Sequence, residues 1–127
     1  MRALNIFLVS ALSILTTAAD AGMKHTSGVT VNSGERYANG ALTAVRATSN
    51  DVEYIDCEMT VFINNSNKKI VCTAKNKDGK KVTCSTNSPN HVEAVKMIGP
   101  SSWVEFRWDG SGNCKNIKVR NDSAFIP

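Results

Sequence analysis

Residues 103–120 read WVEFRWDGSGNCKNIKVR, and their pattern decides the fold. Val104, Phe106 and Trp108 alternate with Trp103, Glu105 and Arg107, and Ile117 and Val119 repeat the alternation beyond a glycine-rich break. A two-residue period means a strand with one buried face. Facing Val104 with Val119 and Phe106 with Ile117 leaves Gly110-Ser111-Gly112-Asn113 as the loop, closed by Asp109 and Cys114. On the outer face the same register sets Glu105 opposite Lys118 and Trp103 opposite Arg120. These are a charge pair and a cation–π contact, each worth at most about 1 kcal/mol. One register satisfies both faces, so the segment predicts a C-terminal β-hairpin.

Just upstream, Ser88-Pro89 opens a short helix of about ten residues, with Ser at the N-cap and Pro at the first helical position. Val92, Val95 and Ile98 form its apolar stripe, and Gly99-Pro100 stops it. Before the helix comes a three-stranded meander. Ile55, Cys57, Met59, Val61 and Ile63 form the inward set of its first strand, and Asn64-Asn65-Ser66-Asn67 makes a turn. Ile70, Cys72 and Ala74 return on the second strand. Lys77-Asp78-Gly79 suits a three-residue loop with Gly in the left-handed position, and Val82 and Cys84 point inward on the third. Residues 22–50 read as a loosely held lead-in with one or two edge strands. Its extended pieces are Val29–Val31 and Ala41–Val45, and its turns Asn32-Ser33-Gly34 and Asn39-Gly40.

The whole chain has 127 residues, 42% apolar and 20% charged, which suits one domain and excludes a disordered chain. Arg2, the apolar run Leu4–Ala18 and Ala19-Asp20-Ala21 have the form of a cleaved signal peptide over residues 1–21. No later run is long enough for a membrane span, so the expected location is secreted or periplasmic. The remaining chain is a single domain, with the lead-in 22–50 followed by a β-rich part over 51–127. A domain this small often needs covalent support.

Four cysteines, Cys57, Cys72, Cys84 and Cys114, supply it as two disulfides. Their wide spacing lacks the close pairs of a zinc site, so no metal and no cofactor is expected. Three connectivities are possible. Counting outward from the 77–79 loop sets Cys72 opposite Cys84 in a hydrogen-bonded pair, where the Cα atoms lie farther apart and a bridge is awkward. That favours Cys57–Cys72 and Cys84–Cys114, the second stapling the meander to the last hairpin.

The stretch Val52–Cys57, the spaced Cys72 and Cys84, and Trp108-Asp109-Gly110-Ser111-Gly112-Asn113-Cys114 resemble small exported bacterial proteins with four cysteines, a group of uncharacterised function. The resemblance covers roughly residues 45–120. It implies export and a disulfide-bonded β-rich domain, but no substrate and no catalytic residue.

Catalytic signals are sparse. His25 lies in the lead-in and reads as an exposed loop residue, while His91, in the first helical turn, is the one weak candidate for acid–base work. No G-x-S-x-G elbow marks a nucleophilic serine, and Gly110-Ser111-Gly112 reads as a hairpin tip. Asp56 and Glu58 share a strand face, but they read as a solvated outer face rather than a glycosidase pair. No calcium-loop pattern appears.

The bases, in contrast, cluster. Lys68, Lys69, Lys75, Lys77, Lys80 and Lys81 crowd the hairpin tips, and Trp103, Arg107, Lys118 and Arg120 share the outer face of the last hairpin. With a net charge of +4, this pattern suits an anionic partner, although lysines at strand edges also guard against edge-to-edge pairing. Exposed aromatics for base stacking are few, which argues against nucleic acid. The sequence therefore predicts a mainly β (α+β) domain made of an antiparallel meander, one short helix, a C-terminal hairpin and two disulfides. The expected function is a non-enzymatic exported module. Its partner would be an anionic polysaccharide, lipopolysaccharide or an envelope or secreted protein. The alternative is a secreted hydrolase of the ribonuclease type, in which His91 would meet Glu105, Arg107 and Lys118.

Overall fold

The structure, a computed structural model, describes residues 22–64 and 66–126; the expected signal segment 1–21 lies outside them. The C-terminal hairpin consists of β6 (Trp103–Trp108) and β7 (Cys114–Arg120). It joins β1 (Thr30–Asn32) and β2 (Tyr37–Ala41) in an antiparallel sheet of order β1-β2-β6-β7. The meander β3 (Tyr54–Val61), β4 (Lys68–Lys75) and β5 (Lys81–Thr86) forms a second antiparallel sheet. Between β2 and β3 lies a short helix, α1 (Leu42–Arg46), and between β5 and β6 lies α2 (Pro89–Lys96). Both sheets and α2 contribute to one core, with Ile70, Cys72 and Cys84 from the meander meeting Val104 and Phe106, and Val92 and Val95 closing it. The mainly β fold with two disulfides is as the sequence predicts. Among the described residues no helix is long and apolar enough to cross a membrane.

The hairpin register matches the sequence reading from Trp103↔Arg120 to Arg107↔Asn116 and then breaks. A bulge at Arg107/Trp108 shifts the last pair to Trp108↔Cys114, so the loop is 109–113 rather than 110–113. The backbone around it explains the shift. Trp108 N donates to Arg36 O (3.2 Å), across from the β1–β2 turn. Asp109 Oδ1 accepts from Ser111 N (2.8 Å) and Asn113 N (2.9 Å), which folds the loop on its own side chain.

The meander settles the disulfides. Asn76 N donates to Lys80 O (3.1 Å), so by alternation Cys72 and Cys84 form a hydrogen-bonded pair. A strand residue points its N–H and C=O to the same side. Cys72 must therefore meet Cys57, its partner on β3, in a non-hydrogen-bonded pair, where Cα atoms come closest. The Cα–Cα distance is 4.0 Å, and these two residues are bridged. Cys84 bridges to Cys114 across the two sheets, so both favoured pairings stand. Gly79 adopts φ 82° at the expected left-handed position.

Several expectations are corrected. Of Ala41–Val45 only Ala41 is extended, since Leu42–Arg46 is helical with Ala44 and Val45 buried. Leu and Ala favour the helix, and tertiary contacts hold it: Leu42 N donates to Ser102 O (2.9 Å), and Thr43 Oγ1 donates to Phe125 O (2.5 Å). Asn39-Gly40 is not a turn but lies within β2, an inner strand rather than an edge. Glycine at 40 allows close packing, because a Cβ would come within 3.2 Å of Val45 Cγ2 and 3.3 Å of Ile55 Cγ2 and push them back. The lead-in is tied down as well. Val29 N donates to Glu53 Oε1 (2.8 Å), and His25, expected as an exposed loop residue, is half-buried against Phe125 with its N donating to Ala124 O (2.9 Å). Helix α2 has eight residues, and Ser88 caps it through its backbone oxygen, accepting from Val92 N, rather than through its hydroxyl.

The last correction shapes the site. Val61 and Ile63 were expected to face inward and are instead exposed. Strand β5 stops at Thr86, opposite Ile70, so no third strand covers the pair Val61↔Lys68. The end of the β3–β4 hairpin overhangs the sheet.

Candidate functional site

Strand β4 separates the lysines the sequence had grouped. Lys68 and Lys69 begin it, and Lys75 ends it. Seven residue steps of extended chain put the two ends about 23 Å apart. At the far end Lys75 and Lys81 are direct cross-strand partners, and Lys77 and Lys80 lie exposed in the loop. Like charges placed opposite each other repel. Asp78 lies in the same loop, and Asp56 and Glu58 share the outer face of β3. Burial pushes the Asp56 carboxyl up and Glu58 adds to the rise, against a smaller opposing effect of Lys81.

The near end forms a groove. Lys68, Lys69 and Phe62, from the overhanging hairpin, face Ser85, Thr86 and Asn87 at the end of β5 across a space of about 370 Å³. Asn113 reaches the same space from the 109–113 loop, because Ser85 N donates to Gly112 O (3.0 Å) and Ser85 and Asn113 form a parallel bridge. Asp109 holds that loop, and the hydrogen bonds from Asn113 keep its carboxyl below the usual range. A second space of about 320 Å³ adjoins the groove, shares Lys68 and Asn87, and reaches Val92 and Glu93 on α2. Glu93 is held by Lys96 (2.7 Å), which lowers its carboxyl, with Lys68 adding a smaller effect. None of the described residues lining the first groove is a carboxylate. Two ammonium groups, an aromatic ring and several amides and hydroxyls thus converge on one concave surface. That set can hold an anionic or polyhydroxylated ligand.

The outer face of the β1-β2-β6-β7 sheet brings the other expected residues together but engages them with each other. Arg120 and Lys118 lie 5.7 and 5.9 Å from the Trp103 ring centroid. Arg120 also approaches Phe125 (5.3 Å), and Arg107 lies over Tyr37 (5.1 Å). The expected Glu105–Lys118 charge pair is replaced by Glu105–Arg107 at 3.1 Å, with Asn39 Nδ2 donating to the other oxygen (3.5 Å). Two residues apart on one strand face, Arg107 reaches back along the strand to Glu105. The cations here are spent on stacking within the sheet face.

His91 is half-buried, and its Nδ1 lies 3.0 Å from Thr86 Oγ1, which also accepts from Ser88 N (3.1 Å). The cluster imagined for a ribonuclease therefore divides in two, with His91 beside Thr86 on the groove wall and Glu105 with Arg107 on the outer sheet face. The sulfurs of Cys72, Cys84 and Cys114 lie within 4.8 Å of one another, but each is consumed in a bridge. Metal binding needs thiolates.

Sequence reasoning found Lys68 and Lys69 and missed Ser85, Thr86, Asn87 and Asn113 as their company. Only the register and the disulfide bring Asn113 beside Ser85, so no local signal could have shown it. No protein-family model, no curated protein and no solved structure matched this chain.

Proposed function

We propose that the chain is an exported, non-enzymatic binding module that takes an anionic polymer in the groove under the β3–β4 hairpin. Lys68 and Lys69 supply the charge. Asn87 and Asn113 supply directional hydrogen bonds. One observation carries the reading: both lysines share a groove whose other described lining residues are neutral. The two disulfides and the signal-like residues 1–21 support action outside the cytoplasm, at the cell envelope or in the medium.

Binding of the oxidised protein to an acidic polysaccharide, at low and high salt, tests this. Affinity should fall steeply with salt, since the attraction is between charges at an exposed surface. Lys68→Ala with Lys69→Ala should weaken it about 10-fold or more, as loss of two charge-assisted contacts implies. Lys77→Ala with Lys80→Ala, at the far end of the meander, serves as the comparison pair. Salt-independent binding, or equal loss in both pairs, would sink the assignment.

The contact between Thr86 and His91 on the groove wall favours one second reading, a hydrolase of the ribonuclease type with His91 as the acid–base group. His91→Ala should then abolish cleavage of RNA, and intact RNA after incubation with the unaltered protein removes this reading.

A further inference from the structure

Val61, Phe62 and Ile63 are 59%, 45% and 98% exposed. They are three consecutive apolar side chains at the overhanging end of the β3–β4 hairpin. A run of this kind on a folded surface marks contact with an apolar phase or partner. The surroundings select the occupant. The tip protrudes beyond the end of β5, so it offers an edge to be inserted rather than a pocket to be filled. Its immediate flank is cationic, with Lys68 and Lys69 entering β4 just after the turn. Exposed polar residues, Asn64 and Ser66, lie between. An apolar tip with a basic collar complements a surface that is apolar inside and negatively charged at its boundary.

We propose that this hairpin tip docks on an anionic lipid leaflet, with Phe62 and Ile63 entering the acyl boundary and Lys68 and Lys69 meeting headgroup phosphates. The proposal rests on the reading of Lys68 and Lys69 as ligand-facing cations and names the surface that carries the charge they meet. The groove beneath remains on the protein side of the contact, where it can take the polar part of a headgroup or an attached sugar.

The test uses the oxidised protein from Gly22, because the described residues carry both sheets, the core and both disulfides. Removing the apolar run Leu4–Ala18 also makes vesicle binding report on the tip. Sedimentation is measured with vesicles of phosphatidylcholine alone and of phosphatidylcholine mixed equally with phosphatidylglycerol. Dextran sulfate serves as a soluble polyanion without acyl chains. Binding is expected to the mixed vesicles and to fall about 100-fold in Phe62→Ser with Ile63→Ser, because two large apolar side chains lose their burial. Lys68→Ala with Lys69→Ala should reduce it about 30-fold, at roughly 1 kcal/mol per charge. Disulfide mapping of each variant confirms the fold. Binding to dextran sulfate without vesicle binding overturns this inference and leaves the proposed function standing; no binding to either overturns both. Unchanged vesicle binding by the Phe62/Ile63 variant overturns the inference, as does a dimer that this variant abolishes, since a second copy would then cover the tip.

Discussion

Replacing Cys84 and Cys114 together by alanine removes the bond that ties β5 to β7. The cysteines are 30 residues apart in sequence, against 15 for Cys57 and Cys72. Loss of loop closure in the unfolded chain predicts costs of about 3.6 and about 3.0 kcal/mol for the two bridges. The folded structure widens that small difference. Cys57–Cys72 links strands that remain paired from Tyr54↔Lys75 to Val61↔Lys68 without it. Cys84–Cys114 joins two different sheets, beside the main-chain hydrogen bond from Ser85 N to Gly112 O (3.0 Å) and the isolated bridge between Ser85 and Asn113. For a domain of this size, Cys84→Ala with Cys114→Ala should lower Tm by roughly 15–25 °C. Guanidinium unfolding of both double variants at neutral pH measures the two costs side by side. A loss below about 1 kcal/mol for the Cys84/Cys114 variant, or one smaller than for Cys57/Cys72, would refute the argument that this bridge holds the sheets together.

Ser102, fully buried, accepts from Gly99 N (2.8 Å) and donates to Asn121, whose Nδ2 donates to Met97 O (3.2 Å). Ser102→Ala breaks that link between α2 and the end of β7 and should cost about 1–3 kcal/mol in chemical denaturation. Gly28→Ala would place a Cβ 2.2 Å from Glu53 Oε1, the atom that accepts from Val29 N. About 1–2 kcal/mol should be lost, and hydrogen exchange at Val29 should rise. Asp56 has its carboxyl pushed up by burial, so its contribution to stability is present below the ordinary carboxylate range and lost as pH rises through the folded value. Asp56→Asn should therefore raise Tm at pH 7 and leave it nearly unchanged at pH 3; a gain of equal size at both would exclude the burial effect.

Local pattern was enough for the meander, α2 and the final hairpin, because each is a run of adjacent residues whose alternation or stripe reports its buried face. Turn chemistry at Gly79 and cysteine alternation even favoured the observed disulfides over the other pairings. The pattern failed where neighbours in space decide. After Ala41 the chain turns into a helix, where Ser102 and Phe125 take polar groups of Leu42 and Thr43. Asn39-Gly40 carries a turn signal yet crosses the sheet, paired with β1 and β6 and packed closely under Val45 and Ile55. The outer-face Glu105 chose Arg107 over Lys118 by the reach of side chains along one strand.

For the site, composition and spacing determined that the chain is basic, doubly bridged and rich in hairpin-tip lysines. Which lysines lie together was set by β4, whose extended length holds Lys68 and Lys69 apart from Lys75, Lys77, Lys80 and Lys81. What surrounds Lys68 and Lys69 was set by β5 ending at Thr86 and by the Cys84–Cys114 bridge, which carries Asn113 to the groove. A sequence states the period of each strand, but a strand's length relative to its neighbours becomes a surface only once the sheets are assembled.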